Sequence, residues 1–286
     1  MSSTKDSVER QYEEIVIEPA NRFGINLREL WQYHELFYFF TWRDIKVKYK
    51  QTILGILWVM LQPLMMMLVF TFFFRSVVEA ENTLGMSYTV FVFSGVLLWT
   101  FFTSAVTNSG NSMVLNAPII KKIYFPRVII PISSILAALL DLGVTLILFV
   151  LYLIIFHVPF DFLSFLVFWP LSLLLSIVGA VGLGCGLSAL MVKYRDFRFV
   201  IPFALQLAFF LTPIVYPLSQ TSQIWFLKYI FALNPMYGAI TMFRMPLTSA
   251  PVDATLVLIS VFSSLLMLVV GIGYFKKTEI YFADLA

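Results

Sequence analysis

Charge is what this 286-residue chain has least of: Asp, Glu, Lys and Arg together make up 12% of it, about half of the roughly 25% usual in soluble domains. Hydrophobic residues supply 60% and aromatic ones 17%. A soluble fold of this size has no room for so much apolar surface, because even large domains leave much of their area facing water. Ordinary soluble enzymes, disordered chains and nucleic-acid binders are therefore excluded. Cysteine is nearly absent. Cys185 stands alone, which rules out an internal disulfide and a cysteine-rich metal site. His34 and His157 are the only histidines and no H-E-x-x-H occurs, so no metal centre is expected from this chain by itself. No glycine is followed by lysine, so the G-x-x-x-x-G-K-[ST] loop that cradles nucleotide phosphates is missing.

Long apolar runs are what the chain has in abundance. A helix crossing the roughly 30 Å hydrocarbon core needs about 20 apolar residues. Six segments qualify, at about 53–74, 87–107, 128–156, 161–190, 199–216 and 254–275. The third and fourth are long enough to tilt or to project beyond the bilayer. The expected fold is all-α, a polytopic membrane protein with six transmembrane helices over residues 51–275. A tail (1–25) and an amphipathic segment (26–50) precede it, and a short tail (276–286) follows.

Residues 1–22 mix Lys5, Glu9, Arg10, Glu13, Glu14, Glu18 and Arg22 with no apolar run. A cleaved signal peptide is not built that way, so the N-terminus is expected to stay in the cytoplasm, and six spans return the C-terminus there. The bases agree with this topology. It puts 16 of the 19 Lys and Arg inside and leaves Arg75, Lys228 and Arg244 outside, as the cytoplasmic retention of short basic loops requires.

Two further segments have a pattern of their own. Leu27, Leu30, Trp31, His34 and Tyr38 share one helical face, with Arg28, Glu29, Gln32 and Glu35 opposite, which suits a helix lying in the membrane interface. Between the fifth and sixth spans, Ser222 and Asn234-Pro235 mark the starts of two short helices, the second with an N-cap followed by proline at the first helical position. We read these as re-entrant helices dipping into the outer leaflet, with Trp225, Phe231, Asn234, Pro235 and Tyr237 as outer-gate candidates; a compact surface cap is the alternative. Asp141 is the one ionisable acid or base inside the spans. An intramembrane charge is a functional candidate, although Ser133, Ser134, Thr145 or a neighbouring helix would satisfy it structurally. The Gly182 to Gly186 spacing is ordinary helix-packing language.

From about residue 24 to 245 the chain resembles the permease subunits of polysaccharide-exporting ABC transporters, of the O-antigen (Wzm-like) and capsule type. The matching residues are Asn26 to Trp31, Thr41 to Gly55, Gln62-Pro63-Leu64, Ile119 to Arg127, Leu187 to Leu190 with Lys193 to Asp196, and Asn234-Pro235-Met236. The resemblance implies an exporter in the bacterial inner membrane, made of two copies of this chain and two copies of a separate ATPase. Its implied substrate is a glycan on a lipid diphosphate. No cofactor is expected in this chain, since ATP and magnesium would sit on the ATPase. In such permeases the loop between the second and third spans docks on the ATPase, which puts Lys121, Lys122, Tyr124 and Arg127 first among coupling residues. Lys193, Arg195 and Asp196 follow in the next basic loop. Arg43, Lys46, Lys48 and Lys50 become candidates for the diphosphate headgroup, their bland alternative being contact with membrane lipids. Two rivals stand beside this reading: a membrane-embedded enzyme of glycolipid assembly, and an ABC permease for a drug or small lipid.

Overall fold

The computed structural model describes residues 27–50, 52, 55–75, 85–218, 226–248, 250–279 and 282, and among them the regular structure is entirely helical. Two helices precede the membrane bundle, α1 (Leu27–Gln32) and α2 (His34–Tyr49). Then come α3 (Leu57–Phe74), α4 (Tyr88–Leu115), the single turn α5 (Ala117–Ile120), α6 (Ile129–Ile155) and α7 (Phe162–Lys193). The chain continues with α8 (Phe197–Phe210), α9 (Leu227–Ala232), α10 (Pro235–Arg244) and α11 (Ala254–Glu279).

Five of these, α3, α4, α6, α7 and α11, are long and apolar enough to cross a membrane. Their limits fall within a few residues of the segments read from hydropathy, except that α4 runs on to Leu115 and α3 starts at Leu57. The segment expected over 199–216 differs. It is helical only for the 14 residues of α8, about 21 Å at 1.5 Å per residue, which is short of the roughly 30 Å core. Pro213 and Pro217 follow it closely, and proline removes a donor and turns the preceding residue out of the helical region.

The helix starts have identifiable causes. Ser87 accepts a hydrogen bond from the Val90 amide at the head of α4, and Asp161 accepts from the Leu163 and Ser164 amides at the head of α7. Asn234 caps α10 by accepting from the Met236 amide at 3.0 Å, with Pro235 in the first turn as its sequence foretells.

At the centre stands α4, packed against α3, α6, α7 and α10, while α7 packs against α11. The α7–α11 crossing is backbone on backbone. A Cβ on Gly182 would meet the Leu268 nitrogen and Met267 carbon at 2.6 Å, and one on Gly271 would collide with the Gly182 carbonyl. That close approach is what small residues at a membrane-helix crossing permit. Outward faces are apolar: Phe72 on α3, Phe199 and Phe203 on α8, and Phe262 and Val269 on α11 are all exposed. In water such a surface would be a liability; against acyl chains it is matched.

The α9–α10 segment folds inward. Nearly all of α10 is buried, and Arg244 at its end is 7% exposed. The Arg244 guanidinium donates to the carbonyls of Phe91, Pro213 and Ile214 and to Ser94 Oγ, at 2.7 to 3.1 Å, and lies over the Phe91 ring. It pins together α4, α10 and the chain leaving α8.

Candidate functional site

One end of the bundle carries most of the bases, and next to it opens a cavity whose largely apolar wall is interrupted by a polar helix face. The basic end is built around the α4–α6 connection. Asn116 ends α4, α5 makes one turn, and the side chains of Ile120 and Phe125 turn inward while those of Lys121, Lys122, Ile123 and Tyr124 point out. Ile123 and Tyr124 are more than 60% exposed. Two anchors hold this loop. The Phe125 ring packs on Phe40 of α2 with centroids 5.7 Å apart. The Arg127 amide donates to the Glu279 carboxylate at 3.1 Å and its guanidinium to the Glu279 carbonyl. Arg127 is thus tied to α11, whereas Lys121, Lys122 and Tyr124 remain outward. Lys193, Arg195 and Asp196 are exposed at the α7–α8 turn of the same end.

Two apolar faces run along α1 and α2. Leu36, Phe37 and Phe40 pack on the bundle, whereas Trp31, Tyr38, Phe39 and Trp42 are exposed. The exposed set contains Trp31 and Tyr38 of the face read from sequence and remains open to an interface; the packed face is an addition. The second half of α2 then climbs along α6. Thr41 donates to the Ser133 carbonyl, Asp44 accepts from Ser134 at 3.1 Å, and Lys48 and Tyr49 both donate to the Asp141 carboxylate. Asp141 is therefore satisfied by a neighbouring helix. The Ser133 and Thr145 hydroxyls donate to carbonyls of α6 itself. The side chain of Asp141 is 13% exposed and that of its partner Lys48 43%.

Lys48 and Asp141 sit in the wall of the cavity. Two adjoining spaces, of about 370 and 830 Å3, share Lys48, Ser104 and Asn108 as lining. The larger reaches Arg43, Asn116 and Arg198 near the basic end, and the smaller reaches Trp58, Gln62 and Thr100 deeper in the bundle. Of the four headgroup candidates, Arg43 and Lys48 line this space, Arg43 being paired with Asp44 at 2.7 Å. Lys46 and Lys50 are exposed and do not line it. Arg198 joins the pair from α8.

The wall between them is a stretch of α4 that hydropathy passes over. Every residue from Tyr88 to Trp99 except Thr89 is buried, but from Thr100 one face opens. The six positions of 100–111 that are not buried are Thr100, Thr103, Ser104, Thr107, Asn108 and Asn111. Their spacing of three and four is one helical face. That spacing was the available signal, and a segment ended at 107 cuts it short.

At the other end, the outer-gate candidates Phe231, Pro235 and Tyr237 are buried. The Asn234 amide donates to Thr212 Oγ1 at 2.6 Å, and Tyr237 borders a space of about 270 Å3 with Lys228, Arg244 and Asp253. Trp225 and Ser222 lie outside the described residues.

The family described as ABC-2 type transporter matches residues 35–248. Two proteins named O-antigen export system permease protein RfbA, both from Klebsiella pneumoniae, are 29% and 27% identical to this chain over 243 residues, covering 85% of it and 92% of each of them. A protein of the same name from Myxococcus xanthus is 29% identical over 219 residues, covering 76% of this chain and 82% of its own.

Proposed function

Because the chain belongs to the ABC-2 type transporter family, we propose that it is the membrane subunit of an ATP-driven exporter that moves a lipid-linked polysaccharide, of O-antigen or capsule type, out of the cytoplasm. The names of its relatives support the substrate class. In this reading two copies form the conduit in the inner membrane, with both termini and the basic end in the cytoplasm. A separate ATPase binds the nucleotide that this chain has no phosphate loop to hold.

The observation that carries the reading is the α4–α6 loop. Its outer surface offers Lys121, Lys122, Ile123 and Tyr124 to a partner, while Phe125 and Arg127 fasten it to α2 and α11. A push on such a loop is delivered to two helices at once, because close-packed interiors transmit displacement rather than absorb it. Moving a hydrated polymer through hydrocarbon requires polar walls, since each hydroxyl buried without a partner costs several kcal/mol.

The test is Lys121→Ala with Lys122→Ala and Tyr124→Ala, assayed in cells that make the complete transporter. We expect correct insertion, a drop of about tenfold in export, corresponding to about 1.4 kcal/mol of docking energy, and weaker copurification of the ATPase. Wild-type export would exclude the loop as the docking site. Surface glycan persisting in cells that lack this chain would exclude the exporter reading altogether.

A further inference from the structure

We propose that the polar ridge of α4, Thr100, Thr103, Ser104, Thr107, Asn108 and Asn111, is the face on which an uncharged polyhydroxylated chain is bound and along which it slides. The proposal rests on the exporter reading for its direction and names the side chains that meet the sugar.

Three observations carry it. The first is the sorting of residues. Over 100–111 the open positions are all Thr, Ser or Asn and the covered ones are mostly apolar, whereas the open faces of α3, α8 and α11 carry Phe, Leu and Val. Amide side chains facing acyl chains would be unsatisfied at a cost that membrane helices avoid, so this face does not meet lipid. The second is the space in front of it. The two adjoining cavities together border the helix from Asn116 to Thr100, a rise of about 24 Å at 1.5 Å per residue, which is most of the hydrocarbon thickness.

The third is the way the ridge is hydrogen-bonded. Thr100 and Thr103 donate back to the Val96 and Trp99 carbonyls, Asn108 Nδ2 donates to Ser104 Oγ, and Asn111 Nδ2 donates to the Thr107 carbonyl. These bonds occupy the Thr100 and Thr103 hydroxyl protons and one amide proton of each asparagine, and leave the second amide protons, the amide oxygens and the hydroxyl lone pairs for the cavity. A surface of neutral hydroxyls and amides repeated each turn, with donors and acceptors both on offer, matches a ligand dense in hydroxyl groups. No carboxylate or base belongs to the ridge itself. Charge lies beside it, on the pairs Arg43–Asp44 and Lys48–Asp141 and on Arg198, so that the neutral chain and any anionic headgroup would meet different side chains. Many weak, nearly equivalent sites in a row also satisfy what conduction needs, binding firm enough to enter and loose enough to leave.

The experiment uses the full complex in inside-out membrane vesicles, made from cells that are synthesising the glycan or blocked in its synthesis, with Cys185 buried and so silent toward thiol reagents. Thr103→Cys, Asn108→Cys and Asn111→Cys are probed with a charged, membrane-impermeant maleimide applied from the cytoplasmic side. We expect all three to react, and to react about threefold or more slowly while the glycan is being made than when its synthesis is blocked, as partial occupancy dictates. Reaction only with a lipid-soluble maleimide would overturn the proposal by putting the ridge against lipid. Spontaneous Asn108→Cys cross-linking between copies would overturn it by making the ridge a helix–helix seam.

Thr107→Leu with Asn108→Leu, at normal membrane level, should lower surface glycan about tenfold, since two lost hydrogen bonds suffice for that. Thr107→Ser with Asn108→Gln should restore export. Normal export by the Leu variants, in cells where removing the whole chain abolishes surface glycan, would sink the ridge and leave the exporter intact. Glycan display unaffected by removing the chain would sink the exporter reading instead.

Discussion

Arg244 illustrates how a charge survives inside the bundle. Among the described residues it has no carboxylate partner; its fork is met by three backbone carbonyls and the Ser94 hydroxyl. A planar guanidinium suits this and an ammonium does not, because only the fork reaches several acceptors in fixed directions. Arg244→Ala is expected to cost several kcal/mol, at about 1–3 kcal/mol for each buried group left unpaired, and Arg244→Lys less. Thermal unfolding in detergent measures both. The same logic applies more weakly to Lys48 and Asp141, because Lys48 is 43% exposed and water already shares its charge. Lys48→Met should destabilise by about 1–2 kcal/mol, discounted from the cost of breaking a fully buried pair. Adding Asp141→Leu to Lys48→Met should recover part of the loss, as a double-mutant cycle on unfolding temperature reports. Neither role was legible in the sequence. Arg244 reads there only as one of three bases outside the positive-inside pattern, and the partner of Asp141 lies 93 residues away.

At the scale of the helix, the contact between α7 and α11 depends on two glycines. Gly182 and Gly271 let the backbones touch, and a methyl group at either position has nowhere to go but into main-chain atoms. Gly271→Ala is therefore expected to separate the helices and sharply lower the amount of folded protein recovered, whereas Gly273→Ala, which meets nothing within 4 Å, should be neutral. Fluorescence-detected size exclusion of the two variants compares them directly. The Gly182–Gly186 spacing was visible in sequence, but it named no partner: its mate is Gly271, on another span. Span positions were legible because a run of apolar residues is a local property. The length of α8 was less so, since hydropathy carries on to 216 while Pro213 and Pro217 stop the helix.

For the molecule as a whole, the legible part is what surrounds the chain and the hidden part is what it encloses. Composition alone sets the apolar shell. Which face of a span turns inward is hard to read where polar residues are few, as on α6 and α7, and α4 departs furthest from that, with six Thr, Ser and Asn positions on one open face. Its ridge runs between Arg43 and Lys48 and the interior. The α4–α6 loop reaches the same space by a different route, through Phe125 and Phe40 to α2, whose far end holds Asp141.

The covered half of α4 has an electrical meaning. Between Tyr88 and Trp99 only Thr89 is not buried, and Ser94 within it is held by Arg244 and the Phe91 carbonyl. Water that fills the groove from the basic end is stopped at about the level of Trp99, so within one copy the transmembrane voltage falls over the remaining insulated thickness. That field is worth about 2.3 kcal/mol per unit charge per 100 mV, and it drives ions of one sign inward, so what holds them back there is the cost of desolvation in the packed segment. A membrane subunit in this shape insulates the bilayer that houses it.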